Sequence, residues 1–392
     1  MSDDRARGAL LGLAVGDALG TTYEFDAIEQ PDLPALATGP ATDVVGKGPF
    51  DLVAGQVTDD TQLAICLARS LAERGGLDIA DVARRYVAWS DHAFDIGNQT
   101  RAAIDRLEAG EPASSAGLAV WRNSERRPAG NGSLMRTAPI AVAYANRSRD
   151  AVIDAAMADS LITHADPRCV LACAAFDAAI AAAINGSNVD VGGAAIAASI
   201  NDPATARSDG GPTADDSASR VDLSGAATID RVSGSGLTGV AMVGVARVAL
   251  ATAAQKLRAA WAGDATDLEH VERAVVDLEG DLDAATHDSP KLYSPGLHVH
   301  RTAGFVRVAF RLAFWHAVHT RSWRDALVDV ASRGGDSDTN AAIAGALLGA
   351  RDGASTIPAA WIERVLAVTQ PGPTDWAEAH HPRHLLALIA RE

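Results

Sequence analysis

The chain has 392 residues, 50 of them acidic and 34 basic, for a formal net charge of −16. That length is enough for a large hydrophobic core. That charge disfavours a non-specific nucleic-acid or anionic-membrane surface but allows a small anion held locally.

The start, MSDDRARGALLGLAVGDALG, carries Asp17 inside its apolar run and so lacks the pattern of an export signal. A helix is predicted over 4–20, in which Gly8, Gly12, Gly16 and Gly20 recur every fourth residue. Glycine is a poor helix former, so the repetition needs a cause, and close backbone approach by a neighbouring helix is the simplest. Gly345 and Gly349 repeat the device near the other end of the chain.

Alanine dominates the periodic regions, and β-branched or aromatic runs are scarce, so helices are the first choice throughout. They are predicted over 59–74, 78–90, 99–108, 135–145, 149–160 and 167–184, then over 236–260, 302–318, 322–332, 338–350 and 357–367. Leu63, Cys66, Leu67 and Ser70 follow one helical face. The apolar run VLACAAFDAAIAAAI is short and contains Asp177, which makes it a packed helix rather than a membrane span. The three cysteines, Cys66, Cys169 and Cys173, show no pairing pattern and fit buried thiols in a reducing cytoplasm. From 185 to about 235 the pattern fails, and small polar residues, Gly and Asp suggest a long surface excursion. A second irregular stretch, HDSPKLYSPGLHVHR, precedes the helix near Gly304. Neither stretch forces a domain boundary. The expectation is one all-α domain over 1–368, with an insertion at 185–235, a variable region to about 300 and a C-terminal extension over 369–392.

Two acidic clusters stand at helix starts. GQVTDDTQLA places Thr58, Asp59 and Asp60 before one apolar stripe, and SRGGDSDTNAAIAGALLGA places Asp336, Asp338 and Thr339 before another. One carboxylate at a helix start is ordinary, since free N–H groups and the helix dipole favour it. Facing each other, the two clusters would form an all-oxygen cage suited to Mg²⁺ or Mn²⁺. Two capped helices with Asp59 and Asp338 in solvent are the plain alternative. The DSD spacing opens like a calcium loop, but the twelve-residue loop ending in Glu is missing. In AGNGSLMR, Gly130 and Gly132 would let main-chain N–H groups approach an anion, with Asn131 and Ser133 adding hydrogen bonds. The Lys-Ser/Thr ending of a Walker loop is absent, and a plain turn is the alternative. Alone, Glu24 in YEF reads as a surface acid, DIGN as a turn, His164 as a capping or interior histidine and Phe305 as core.

Together the motifs GALLGLAVGDALGTTYEF, GQVTDDTQLA, FDIGNQTRAAI, GNGSLMRTAPIA, ITHADPR, GFVRVAFRLAFWHA and GGDSDTNAAIAGALLGA resemble, in order, those of the ADP-ribosylglycohydrolase family, in particular its bacterial dinitrogenase-reductase-activating branch. They span most of the chain; the stretch from about 185 to 300 does not align, and Ser337 stands where many relatives have Thr. The resemblance implies a compact, orthogonal all-α domain with a dinuclear metal cleft. It implies Thr58, Asp59, Asp60, Asp336, Asp338 and Thr339 as ligands of two divalent cations, Mg²⁺ or Mn²⁺. Glu24 would lie beside that centre, and Asp95 and Asn98 near the substrate. Asp95, Asp60 and Glu24 are the candidates for the catalytic base. The loop Gly130–Met135 would surround the ADP-ribose phosphates, with Gly130, Asn131, Gly132, Ser133 and Met135 as binding residues. His164 would face the distal ribose and diphosphate, and Phe305 would pack near the substrate. The implied reaction is hydrolysis of the glycosidic bond joining ADP-ribose to a target, with DIGN favouring arginine on protein. O-linked or nucleic-acid-linked ADP-ribose, a small ADP-ribose derivative, and a non-catalytic ADP-ribose binder are the alternatives. A cytoplasmic monomer without membrane contact is expected.

Overall fold

The glycine repeat of the first helix meets its counterpart. In the computed structural model, which describes residues 2–186 and 237–389, helix α1 (Ser2–Gly20) runs antiparallel to helix α13 (Ser337–Asp352). A Cβ on Gly8 would overlap the Gly349 carbonyl, one on Gly12 the Gly345 carbonyl, and one on Gly16 the Ala341 carbonyl. One on Gly20 would strike the backbone of Asp338. The two helices thus touch backbone to backbone along four successive turns, which only hydrogen at these positions permits. Every residue of α13 from Ser337 to Ala350 is buried, as expected of a helix that is apolar or small on all sides.

Around this pair pack α2 (Asp59–Arg74), α3 (Ile79–Ser90), α4 (Asn98–Glu108), α5 (Ala116–Asn123), α6 (Ala138–Ala143), α7 (Arg149–Thr163) and α8 (Pro167–Asn185). After the undescribed residues come α9 (Gly239–Ala260), α10 (Ala265–Ala284), α11 (Val306–His319), α12 (Trp323–Ser332), α14 (Ala359–Ala367) and α15 (Thr374–Ala379). Among the described residues the only sheets are two hairpins, Gly46–Lys47 with Leu52–Val53 and Tyr293–Ser294 with Leu297–His298. The fold is all-α, as expected. Helices α8 and α9 are long and apolar enough to cross a membrane, but 89% of the apolar window of α8 is buried inside the protein, which makes it a core helix.

Several expected boundaries move. The helix expected over 135–145 starts at Ala138, because Asn131–Arg136 form turns and Pro139 occupies the first helical turn. The one expected from 302 starts at Val306, since Gly304 has φ +76°. Helices α5, α10 and α15 were not expected. In α10 the buried Val271, Ala274, Leu278 and Leu282 follow a helical stripe, and its buried Asp281 pairs with Arg307 and Arg311 of α11. In the stretch 369–389, Trp376 and Leu385 are buried. The insertion expected at 185–235 lies outside the described residues, save its first two.

The seam makes a direct test. Gly12→Val should lower stability by about 3 kcal/mol or more, because the added side chain meets backbone that cannot yield. That corresponds to a fall in Tm of several degrees or failure to fold. Gly280→Ala in α10, where a Cβ meets nothing within 4 Å, should be neutral or slightly stabilising. Thermal unfolding of both variants checks the contrast.

Candidate active site

Asp17 joins the first two elements of the site. Fully buried on α1, it accepts the N–H groups of Thr58 (3.1 Å) and Thr61 (3.2 Å), and the hydroxyls of Thr58 (3.0 Å) and Thr61 (2.5 Å). The N-terminus of α2 is therefore pinned one helical turn before Gly20, where α1 meets the first residues of α13. At that point the Ser337 hydroxyl donates to the Gly20 carbonyl (2.7 Å). Two helix N-termini now converge, each bringing its acids and the positive end of its dipole. Asp60 Oδ2 accepts from the Thr339 hydroxyl (3.3 Å) and lies 3.1 Å from the Thr58 hydroxyl oxygen, so the two acidic clusters meet. Carboxylate oxygens of Asp17, Asp60 and Asp338 lie within 4.8 Å of one another, and so do those of Glu24, Asp336 and Asp338.

Such crowding is costly to charge. Burial, and then the charges of Asp95, Asp336 and Asp60, push Glu24 up to about 9. Burial first, then neighbouring carboxylates, hold Asp59, Asp60 and Asp338 well above the usual carboxylate range. Asp95 rises to about 6 through burial, with Asp336 adding to it. Burial also lifts Asp17 to about 6, against the four hydrogen bonds it accepts. Glu24 Oε2 and Asp60 Oδ1 are sealed from solvent and have no hydrogen-bond partner among the described residues. Partnerless buried oxygens among hard oxygen donors, with no basic side chain paired to them among the described residues, are the environment a divalent cation satisfies. These residues fit metal ions chemically.

Above this floor opens a cleft of about 680 Å³, a size suited to a small ligand. Asp59, Asp338, Thr339 and the part-exposed Asp336 form its acidic end. The segment Asp95–Thr100, leading into α4, forms one wall, and Gly130–Gly132 with Met135 and His164 form another. Asn131 Nδ2 donates to Asp336 Oδ2 (2.6 Å), tying that loop to the acidic centre. The loop is held from behind by main-chain pairing with the start of α11: Asn131 N donates to Gly304 O and Val306 N to Ala129 O, both at 3.0 Å.

Of the residues singled out in the sequence, the structure gathers Glu24, Asp59, Asp95, Asn98, Gly130, Asn131, Gly132, Met135, His164, Asp336, Asp338 and Thr339 around one cleft. Thr58 and Asp60 lie fully buried beneath it. Two others are placed differently. Ser133 is fully buried behind the loop, where its hydroxyl meets those of Ser160 (2.9 Å) and the Cys173 thiol (3.4 Å). Phe305 pairs its backbone with Gly130, while its ring lies near the guanidinium groups of Arg168 (5.3 Å) and Arg307 (5.9 Å). The Gly130 N–H donates to Gln99 Oε1 (2.7 Å) and so is not free for an anion. Sequence reasoning missed Asp17, Gln99 and Phe25. Phe25 stands 67% exposed on the cleft lip with φ +66°, beside Glu24. An aromatic held in the left-handed region is a local signal of function, but it shows only in the backbone.

Fold and site together define an all-α protein with an all-oxygen acidic centre at the end of a polar ligand cleft. The chain belongs to the ADP-ribosylglycohydrolase family, whose sequence model matches residues 1–390, and it is an ADP-ribosyl glycohydrolase. It is 28% identical over 370 residues to the ADP-ribosylarginine hydrolase Tri1 of Pseudomonas putida (strain GB-1), covering 92% of this chain and 74% of that one. It is 39% identical over 171 residues to the ADP-ribosyl-[dinitrogen reductase] glycohydrolase of Rhodospirillum rubrum, a match covering 43% of this chain and 54% of the relative. A solved ADP-ribosylglycohydrolase-related protein complex superposes with a TM-score of 0.60 at 25% identity, over 99% of this chain and 97% of the other.

The acidic centre sets a pH dependence. Unfolded, its carboxyls ionise near pH 4. Folded and free of cations, Glu24 keeps its proton to about 9 and Asp95 to about 6. The folded state then binds protons that the unfolded chain has released, so the contribution of these carboxyls to stability is full below about pH 4 and falls as pH climbs towards about 9. His164, pushed down to about 3 by burial, slopes the opposite way only below about 6.5, and the buried thiols, pushed up by burial, add to the fall only above about 8, so the range from about 7 to 8 reads the carboxylates. In chelator, Tm should fall between about pH 7 and 8, and saturating Mg²⁺ or Mn²⁺ should raise it and flatten the slope. A flat profile in chelator would contradict the crowding.

Proposed function

We propose that the protein hydrolyses the N-glycosidic bond joining ADP-ribose to arginine side chains of modified proteins, with two divalent cations, Mg²⁺ or Mn²⁺, at the acidic centre. One observation carries this reading: seven carboxylates, Asp17, Glu24, Asp59, Asp60, Asp95, Asp336 and Asp338, crowd together at one end of a ligand-sized cleft, without basic partners among the described residues. The arginine linkage is favoured by the likeness to a relative named for ADP-ribosylarginine, over 92% of this chain. A cytoplasmic location fits the three buried, unbridged thiols.

In this reading Thr58, Asp59 and Asp60 from α2 and Asp336, Asp338 and Thr339 from α13 hold the cations. Asp17 orients the first set, and Glu24 lies beside the second. Cations held at such a centre would supply positive charge that polarises hydroxyl and water oxygens brought into the cleft. Asp60 is sealed beneath the cleft and Asp95 lines it, which favours Asp95 as the proton acceptor. Its affinity for a proton, raised to about 6, suits an exchange near neutral pH. Water adds to the anomeric carbon as the C1–N bond breaks. The water proton passes to Asp95, and the guanidine leaves with the bonding pair and takes that proton from Asp95, which returns the carboxylate to its starting charge. Asn98, at the start of α4, lies beside the reacting sugar. Gly132 lets the ligand approach the main chain closely, while Asn131, Met135 and His164 line the diphosphate end. Ser133 and Phe305 support the loop from behind.

Asp60→Ala and Asp338→Ala should each lower metal occupancy and cleavage together, by at least about 10²-fold in rate, since charge and orientation are lost at once. Metal stoichiometry followed by initial rates checks this; near-wild-type cleavage by both folded variants would reject the mechanism. Gly132→Val should weaken ADP-ribose binding while leaving metal occupancy intact, because a Cβ there stands 2.8 Å from His164 Cε1. Calorimetry reads both quantities. A product assay across arginine-, serine- and nucleic-acid-linked ADP-ribose, with and without Mg²⁺ or Mn²⁺, decides the linkage. Turnover of arginine-linked material supports the proposal, and turnover confined to the others overturns it. Tight ADP-ribose binding without turnover of any linkage would make the protein a binder.

A further inference from the structure

Behind His164 lies a buried chain of polar groups that the reaction itself does not use. Arg136 is fully buried, and each part of its guanidinium is engaged. Nε donates to Asp159 Oδ2 (3.1 Å), one terminal nitrogen to the Asp159 carbonyl (3.1 Å), and the other to Gly132 O (3.2 Å) and Thr163 Oγ1 (2.8 Å). The Tyr86 ring lies 4.5 Å away, and its hydroxyl completes the Asp159 carboxylate (2.8 Å). The last link runs between Thr163 Oγ1 and His164 Nδ1 at 2.8 Å.

From this geometry we infer that Thr163 and Arg136 are positioning residues that lock His164 as the tautomer with a bare Nδ1 and a protonated Nε2, giving the cleft one fixed N–H donor beside Gly132. A guanidinium has no acceptor, so the Thr163 oxygen must accept from Arg136. The hydroxyl then has one hydrogen to place, in a position sealed from solvent. If Nδ1 carried the ring proton, both neighbours would donate to Thr163, and its own hydrogen would have no acceptor among the described residues. Buried donors are rarely left so. With the Thr163 hydrogen directed at Nδ1, every link from Tyr86 to Nδ1 has a donor and an acceptor, and the neutral ring carries its proton on Nε2, at the cleft wall. Burial and the Arg136 charge also oppose an imidazolium here. Nε2 makes no hydrogen bond among the described residues. It lies 2.9 Å from a Cβ placed on Gly132 and 3.4 Å from one on Gly130, on the cleft wall. A neutral donor suits a diphosphate oxygen without attracting the carboxylates nearby. The use of this donor by a diphosphate rests on the ADP-ribose reading above; the tautomer does not.

The test is nitrogen NMR on the full chain with ¹⁵N-labelled histidine, the His164 signals being assigned by their loss in His164→Gln. Wild type, without ligand, should show an unprotonated Nδ1 and a protonated Nε2. Thr163→Val should mix the tautomers and weaken ADP-ribose binding roughly tenfold, about the worth of one hydrogen bond. Thr163→Ser, which keeps the hydroxyl, should restore both. A protonated Nδ1 in wild type, or an unchanged tautomer in Thr163→Val, would overturn the inference. The wild-type spectrum decides even if Thr163→Val fails to fold. The expected tautomer in a wild type that binds no ADP-ribose would support the assignment and reject the ligand reading of the cleft.

Discussion

The site depends on how closely two helices approach. Because α1 and α13 touch through glycine, the C-terminal turn of one lies against the N-terminal turn of the other, and Gly20 meets Asp338 directly. Any side chain in the seam would push the helix axes apart and move the second acidic cluster with them. Asp17 extends the same constraint to α2, since its four accepted hydrogen bonds fix the backbone and hydroxyls of Thr58 and Thr61. One helix therefore sets the distance between two carboxylate groups that lie almost three hundred residues apart in sequence.

That enforced nearness explains the electrostatics. Carboxylates drawn together in a buried place repel one another and lose water, so their proton affinities rise unless positive charge is supplied. The helix N-termini contribute part of that charge as fixed dipoles. The remainder is what a hard cation would bring, and the partnerless oxygens of Glu24 and Asp60 mark where the protein's own groups fall short. The strain falls in the floor of the cleft, where binding can relieve it.

The ligand wall is coupled to that floor through few bonds. Asn131 reaches Asp336, Gln99 holds the Gly130 amide, and Arg136 anchors the Gly132 carbonyl while bracing Thr163. The loop is thus held between the acidic centre on one side and a buried cation on the other. An acidic protein can in this way offer an anion neutral N–H groups in a fixed frame, with no need for a basic patch.

Much of this was legible in the chain alone. The four-residue glycine spacing forecast a backbone-level helix contact, and the Thr-Asp-Asp and Asp-x-Asp-Thr starts forecast paired oxygen clusters. Both signals are local: spacing along a helix fixes a face, and residue type fixes donor chemistry. The helical stripe of α10, with Val271, Ala274, Leu278 and Leu282, was equally local but was obscured by its acidic neighbours. Asp17 was different, for in sequence it is a single acid interrupting an apolar run, and its role exists only once α2 is laid across it. The same holds for Ser133, turned away behind its loop, for Gln99 closing the Gly130 amide, and for Thr163 passing its hydrogen to His164. Sequence determined which elements form and what chemistry they carry, because those follow from neighbours along the chain. Which groups point inward, which donors stay free and which proton sits on which nitrogen were decided by tertiary structure, because a hydrogen bond is fixed by partners that only folding brings within 3 Å.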